Sequence, residues 1–208
     1  EKKELIGDLV NEFSALKNDI VNFVRLNIFP DGGVARLRLL GKLTPRNLEN
    51  GKEVELSSLL NGGKIIGYNN AHYGDVNALL SEGRGKTMGD GWETRRRRVP
   101  GHDYIIIELG TPGLISKIEI DTCHFKGNYP DRASVQTINL SSDNKNQNRF
   151  ERSDSWDFIL EEKKCSADNI HTFVKDSLMH QNPVSHVRLN IYPDGGVSRL
   201  RVYGTVAD

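Results

Sequence analysis

Two segments hold most of the side chains able to do chemistry. The first, MGDGWETRRRRVPGHDY, spans residues 88–104. Its arginines Arg95, Arg96, Arg97 and Arg98 stand between Asp90, Trp92 and Glu93 on one side and His102 and Asp103 on the other. A guanidinium grips a carboxylate through two parallel hydrogen bonds, so an anionic small molecule is the natural ligand of such a run. In an extended segment alternate residues face opposite ways, which places Arg95 and Arg97 on one face and Arg96 and Arg98 on the other. The second segment, DTCHFKGNYPDR at 121–132, offers Asp121, His124, Lys126, Asn128, Asp131 and Arg132. Histidine and carboxylates in one loop can transfer protons or hold a metal. The spacing of His124 and Asp131 follows no standard metal motif, so a divalent metal stays open and no cofactor is certain. Cys123 has no identifiable base and reads as structural.

Composition narrows the classes of partner. An arginine run in isolation reads as solvated or nucleic-acid-binding, but acidic residues flank this one and no basic stretch extends it. Over the chain, 28 basic residues balance 28 acidic ones. That balance argues against nucleic acid or an anionic membrane as the dominant partner. No apolar run reaches the length of a bilayer span. The opening EKKELIGDLVNEF resembles neither a secretory signal nor an organelle presequence. Two cysteines without CxxC spacing make a disulfide framework or zinc site an unfavoured reading and point to a reducing, intracellular compartment.

The elements that must position these side chains are mostly short strands. YIIIELG (104–110) reads as a buried strand, and LISKIEIDT (114–122) alternates as a half-buried one, with TPG as the turn between them. ASVQTINL (133–140) is another strand, and FILEEKKC a further strand or strand end. Near the start, Leu5, Leu9, Phe13, Leu16 and Ile20 recur at helical intervals and predict a short amphipathic helix over 4–20.

One segment occurs twice. VRLNIFPDGGVARLRLLG at 24–41 returns as VRLNIYPDGGVSRLRVYG at 187–204, a spacing of 187 − 24 = 163 residues with four changes. Alternating residues flank a PDGG turn in both copies, which predicts two β-hairpins. A period this long marks duplicated whole domains rather than a solenoid. Turn geometry accounts for the proline, aspartate and glycines. It leaves Arg36 and its counterpart Arg199 without a role.

GDGWETRRRR, GHDYIIIELG, DTCHFKGNYPDRASVQ and HVRLNIYPDGGVSRLRVYG follow one another within residues 58–204. Together they resemble the allantoicase family, the allantoate amidinohydrolases of purine degradation. The resemblance implies an all-β chain built from jelly-roll β-sandwich repeats similar to galactose-binding domains. Residues 1–41 would then be the tail of a first repeat (helix plus β-hairpin) and 42–208 a complete second repeat, with most of the first outside this chain. It also implies hydrolysis of allantoate to ureidoglycolate and urea. On that basis Asp90, Trp92, Arg95, Arg96, Arg97, Lys126, Asn128 and Arg132 are expected to bind substrate. Glu93, His102, Asp103, Asp121 and His124 are the candidates to polarise water and protonate the departing urea nitrogen. The implied partners are allantoate and further copies of the chain in a homo-oligomer, with no nucleic acid and no membrane, in the cytoplasm or a peroxisome. The alternative is a non-catalytic sandwich that binds a small anionic or sugar-like ligand.

Overall fold

The computed structural model describes residues 2–17, 19–21, 23–41, 51–140, 152–179 and 182–207. Two units divide the chain, Glu1–Lys42 and Leu43–Asp208. The described part of the second unit carries ten strands: β1 (Glu53–Glu55), β2 (Lys64–Tyr68), β3 (Trp92–Glu93), β4 (Asp103–Asp121), β5 (Arg132–Ile138), β6 (Asp157–Lys164), β7 (Ile170–Val174), β8 (Val184–Tyr192), β9 (Gly196–Val197) and β10 (Arg199–Val206). Every pairing among them is antiparallel.

The two apolar runs around TPG form one strand of 19 residues, β4, not two strands joined by a turn. Its first half, Asp103–Glu108, pairs with β8 and β2. Its second half, Gly113–Asp121, pairs with β10 and β7. The register breaks between Glu108 and Gly113. There the chain passes from one sheet to the other, because glycine lets the backbone bend where a side chain would collide. A Cβ on Gly110 would stand 1.9 Å from the Asn61 carbonyl oxygen. The result is a sandwich, with β2-β4-β8-β5-β6 on one side and β1-β10-β4-β7 on the other.

The repeated segment is likewise not a hairpin in its second copy. β8 pairs with β4 and β5, whereas β10 pairs with β4 and β1. The PDGG turn therefore arches from sheet to sheet, and the apolar residues of its two arms meet across the core. Val187, Leu189 and Ile191 from β8 and Leu200 and Val202 from β10 are all fully buried in one cluster. Each such side chain stabilises the fold by about 1.5–3 kcal/mol on leaving water. The reverse face of β8 carries His186, Arg188, Asn190 and Tyr192, a polar row on the outside of the sheet.

In the unit Glu1–Lys42 the described residues form turns and bends, with neither helix nor strand. The helix expected over 4–20 does not form among them. Asp8 sits at φ 57°, and the Asn11 side chain takes over the Ile6 amide and the Ile6 and Leu9 carbonyls. Such local bonds compete with a helical ladder. Leu5, Leu9, Phe13, Leu16 and Ile20 are all exposed, so no burial supports the helix. The first-copy arms, 24–41, are equally without strand partners among the described residues. No described helix is long and apolar enough to cross a membrane.

Candidate active site

The second-copy PDGG turn is the platform on which the arginine loop rests. Thr94 N–H donates to the Gly195 carbonyl at 2.9 Å, and Arg97 N–H donates to Asp194 Oδ2 at 2.8 Å. β3 pairs with β9, with Glu93 opposite Gly196. The turn needs glycine here. Gly195 has φ 141°, and a Cβ there would lie 2.6 Å from Pro130 N; on Gly196 it would lie 2.0 Å from the Phe125 ring.

The arginines of the repeat lock the loop from the other side. Arg199, 2% exposed, donates to the Gly83 and Asp90 carbonyls and to Asp90 Oδ2 at 3.0 Å. Arg201 holds Glu55 and the Ser81 and Gly83 carbonyls. Burial alone would raise the Asp90 pKa, but the Lys86 N–H and Arg199 hold it below the usual carboxylate range. Trp92 is fully buried in the core and donates from Nε1 to the Asn70 carbonyl. Asp90 and Trp92, expected to bind substrate, are both engaged in holding the loop, Trp92 within the core and Asp90 half-buried.

The loop presents Arg95, Arg96, Arg97 and Arg98, with Asn70 and Val99, around an open cleft of about 200 Å³. All four arginines line it. The expected alternation fails because residues 94–98 pair with no strand, so no pleat dictates their directions. Arg97 is the most buried of the four and reaches Asp103 Oδ1 at 2.5 Å.

Asp103 and His102 open β4 beside this cleft. Asp103 is fully buried, and Asn69 Nδ2 also donates to its Oδ1. His102 Nε2 lies 3.2 Å from Asn190 Oδ1. The amide nitrogen of Asn190 is committed to Ser134 and Gln136, so its oxygen faces the ring. His102 therefore donates from Nε2 and keeps a lone pair on Nδ1. Burial, then the charge of Arg188, hold His102 below the ordinary imidazole range; the Asn190 bond offsets this in part, and Arg97 adds to it. A neutral imidazole with a free Nδ1 is a proton acceptor at neutral pH.

The 121–132 loop bonds to the arginine loop where Asn128 Nδ2 donates to Glu93 Oε1 at 2.7 Å. Its other residues gather elsewhere. Asp121 is buried against Arg84. His124, at φ 70°, donates from Nε2 to the Gly85 carbonyl at 2.8 Å. Asp168 Oδ1 receives the His124 N–H. Cys123, His124 and Asp168 each bring a ligand atom within 4.8 Å of the others, a donor set of the type that holds a transition metal. Burial pushes the Cys123 thiol up, which works against a free thiolate. Lys126 is exposed, and Arg132 pairs with Asp131 and Glu162 on the surface.

Arg188 is the residue that sequence reasoning passed over, because a strand arginine on an outward face is ordinarily solvated. Here it is 3% exposed, and its guanidinium lies 4.1 Å from the centre of the Tyr104 ring. Its presence in both repeat copies, which turn geometry does not require, was the available signal.

A jelly roll of this kind is the architecture of galactose-binding-type domains. A family 32 carbohydrate-binding module from Streptococcus pneumoniae superposes with a TM-score of 0.51 at 10% identity, covering 73% of this chain and all of that one, a likeness of fold alone. The particular family is set by the sequence: the allantoicase repeat model matches residues 1–44 and 54–207, and the chain belongs to that family. A probable allantoicase of Rhizobium meliloti is 48% identical over 208 residues, 98% of this chain and 61% of the relative. A crystal structure of allantoicase from Saccharomyces cerevisiae superposes with a TM-score of 0.66 at 34% identity, over 79% of this chain and 45% of that chain. The chain thus spans 61% of the length of the Rhizobium relative.

Proposed function

We propose that the protein hydrolyses allantoate to ureidoglycolate and urea, as a step of purine degradation and nitrogen recovery. The observation that carries the reading is the arginine-lined cleft beside a neutral, tautomerically defined His102 in a chain of the allantoicase family. Arginines of the 95–98 loop receive the carboxylate. His102 Nδ1 takes a proton from water as its oxygen joins the central carbon. The C–N bond to one ureido group breaks, and the departing nitrogen takes a proton to leave as urea. Glu93, oriented by Asn128, is the candidate donor of that proton. Asp103 fixes Arg97 and adjoins His102 in sequence.

Residues 1–41 are read as the tail of one repeat and 42–208 as a full second repeat, in line with the two stretches that the family model matches. Association of chains into a homo-oligomer is supported by the apolar side chains that the first unit exposes. An intracellular setting suits two cysteines that form no disulfide.

The test is urea release on adding allantoate to the 208-residue chain, beside a longer chain that supplies the rest of the matched relatives' length. Urea from either supports the reading, and Glu93→Gln should cut turnover at least 100-fold, within the range of general acid catalysis, while leaving the circular dichroism spectrum unchanged. Folded protein that releases no urea in either form returns the chain to a ligand-binding sandwich.

A further inference from the structure

Buried polar atoms in folded proteins nearly always find partners, so a cluster of unsatisfied ones calls for a cause. Among the described residues five buried side-chain nitrogen or oxygen atoms lack a hydrogen-bond partner. Two of them belong to one guanidinium, Arg188 Nε and Arg188 Nη1; Arg97 Nε and Asp103 Oδ2 are two more. Arg97 and Asp103 bond to each other, and the charges of Arg97, Arg188 and Asp103 all act on His102. The neutral groups beside Arg188 are, by contrast, fully engaged. Asn190 bonds to His102, Ser134 and Gln136; Gln136 also bonds to the Asp154 and Trp156 carbonyls; Ser134 bonds to Tyr192. No carboxylate lies within ion-pair distance of Arg188 among the described residues; Asp154 acts on it only at longer range.

We infer that the guanidinium of Arg188 on β8 is the buried anchor for a carboxylate ligand. A buried cation with no carboxylate at ion-pair distance is destabilising unless an anion joins it, whereas the exposed arginines of the cleft are solvated by water. The complement of two unsatisfied N–H donors on one guanidinium is a carboxylate, the group that a ureido acid carries. This deepens the reading above and rests on it for the identity of the ligand: the exposed loop arginines attract the anion, and Arg188 receives it.

The decisive variant is Arg188→Met, which keeps the volume and removes the charge, with Arg25→Met at the equivalent first-copy position as control. Two readouts are taken on the full chain: melting temperature without ligand, and affinity by calorimetry for allantoate, acetate and urea. A binding arginine leaves the ligand-free fold strained by its charge, so Arg188→Met should melt about 3 °C higher. Its allantoate affinity should fall about 30-fold or more, the loss of charge-assisted hydrogen bonds. Arg25→Met should change neither. Arg188→Lys, which keeps the charge and loses the planar fork, should recover part of the affinity. If Arg188→Met melts lower and binds allantoate normally, Arg188 is structural and the inference fails. A higher melting temperature with unchanged affinity overturns it as well. If the wild type binds acetate through Arg188 but not allantoate, the carboxylate anchor stands and the allantoate reading falls.

Discussion

Residues 24–41 and 187–204 differ at four positions, yet only the second copy forms strands. Both turns adopt the same local conformation, with Gly32 at φ 144° and Gly195 at φ 141°, and a cis bond before each proline. The arms diverge. Leu189 is fully buried between β4 and β5, while its counterpart Leu26 is 47% exposed. Arg199 clamps the 83–90 loop, while Arg36 is exposed. A turn is specified by the few residues within it, whereas a strand has no hydrogen-bond partners of its own and exists only beside another. The same eighteen-residue pattern is therefore a functional platform in one setting and an unpaired segment in the other.

The contrast can be broken most forcefully at the arginines. Arg199→Ala strands Asp90 and should destabilise the second unit by about 3–5 kcal/mol in urea titrations, whereas Arg36→Ala should stay within about 0.5 kcal/mol. Equal effects would show that the first copy is packed as the second is. Next in size is His102, whose ring meets Asn190 and Tyr192 of the second copy. His102→Gln should lower kcat/KM about 100-fold. Its pH dependence has a definite sign. The fold favours the neutral ring, so activity and the matching part of stability are present above the ordinary imidazole pKa. Both are lost as pH falls through the lower folded value. An acid limb that survives in His102→Gln would assign that limb to another group.

The glycines sharpen the same comparison on a smaller scale. Gly196→Ala drives a methyl into the Phe125 ring and should cost about 1–3 kcal/mol, while Gly33→Ala meets nothing within 4 Å and should be near neutral, read from thermal or urea midpoints. Smallest of all, Lys164→Ala removes one partner of the exposed Asp131 and should leave the urea midpoint essentially unchanged.

Much of the site was legible in advance because its residues are contiguous. The arginine run, His102 and Asp103 lie within nine positions, and their assembly beside one cleft needs only a loop entering a strand. Asn128 meeting Glu93 was foreseeable only as two polar loops near one another. The facing of the arginines was not legible, since alternation holds for paired strands and residues 94–98 are unpaired. The continuity of β4 was hidden for a related reason. A glycine-proline interruption reads as a turn, and only the second sheet's demand for partners keeps the chain extended through it.

By itself the sequence determined the strand alternation, the turn conformation, the duplication and the family, because each depends on residues close in the chain or on long runs of identity. Tertiary structure alone decided that the second copy's arms lie in opposite sheets and that Trp92 is buried in the core. It decided too that Arg188 is buried without a counter-charge. Those outcomes depend on which strands lie alongside and on what covers an outward face, and burial is a property of neighbours that no local pattern encodes.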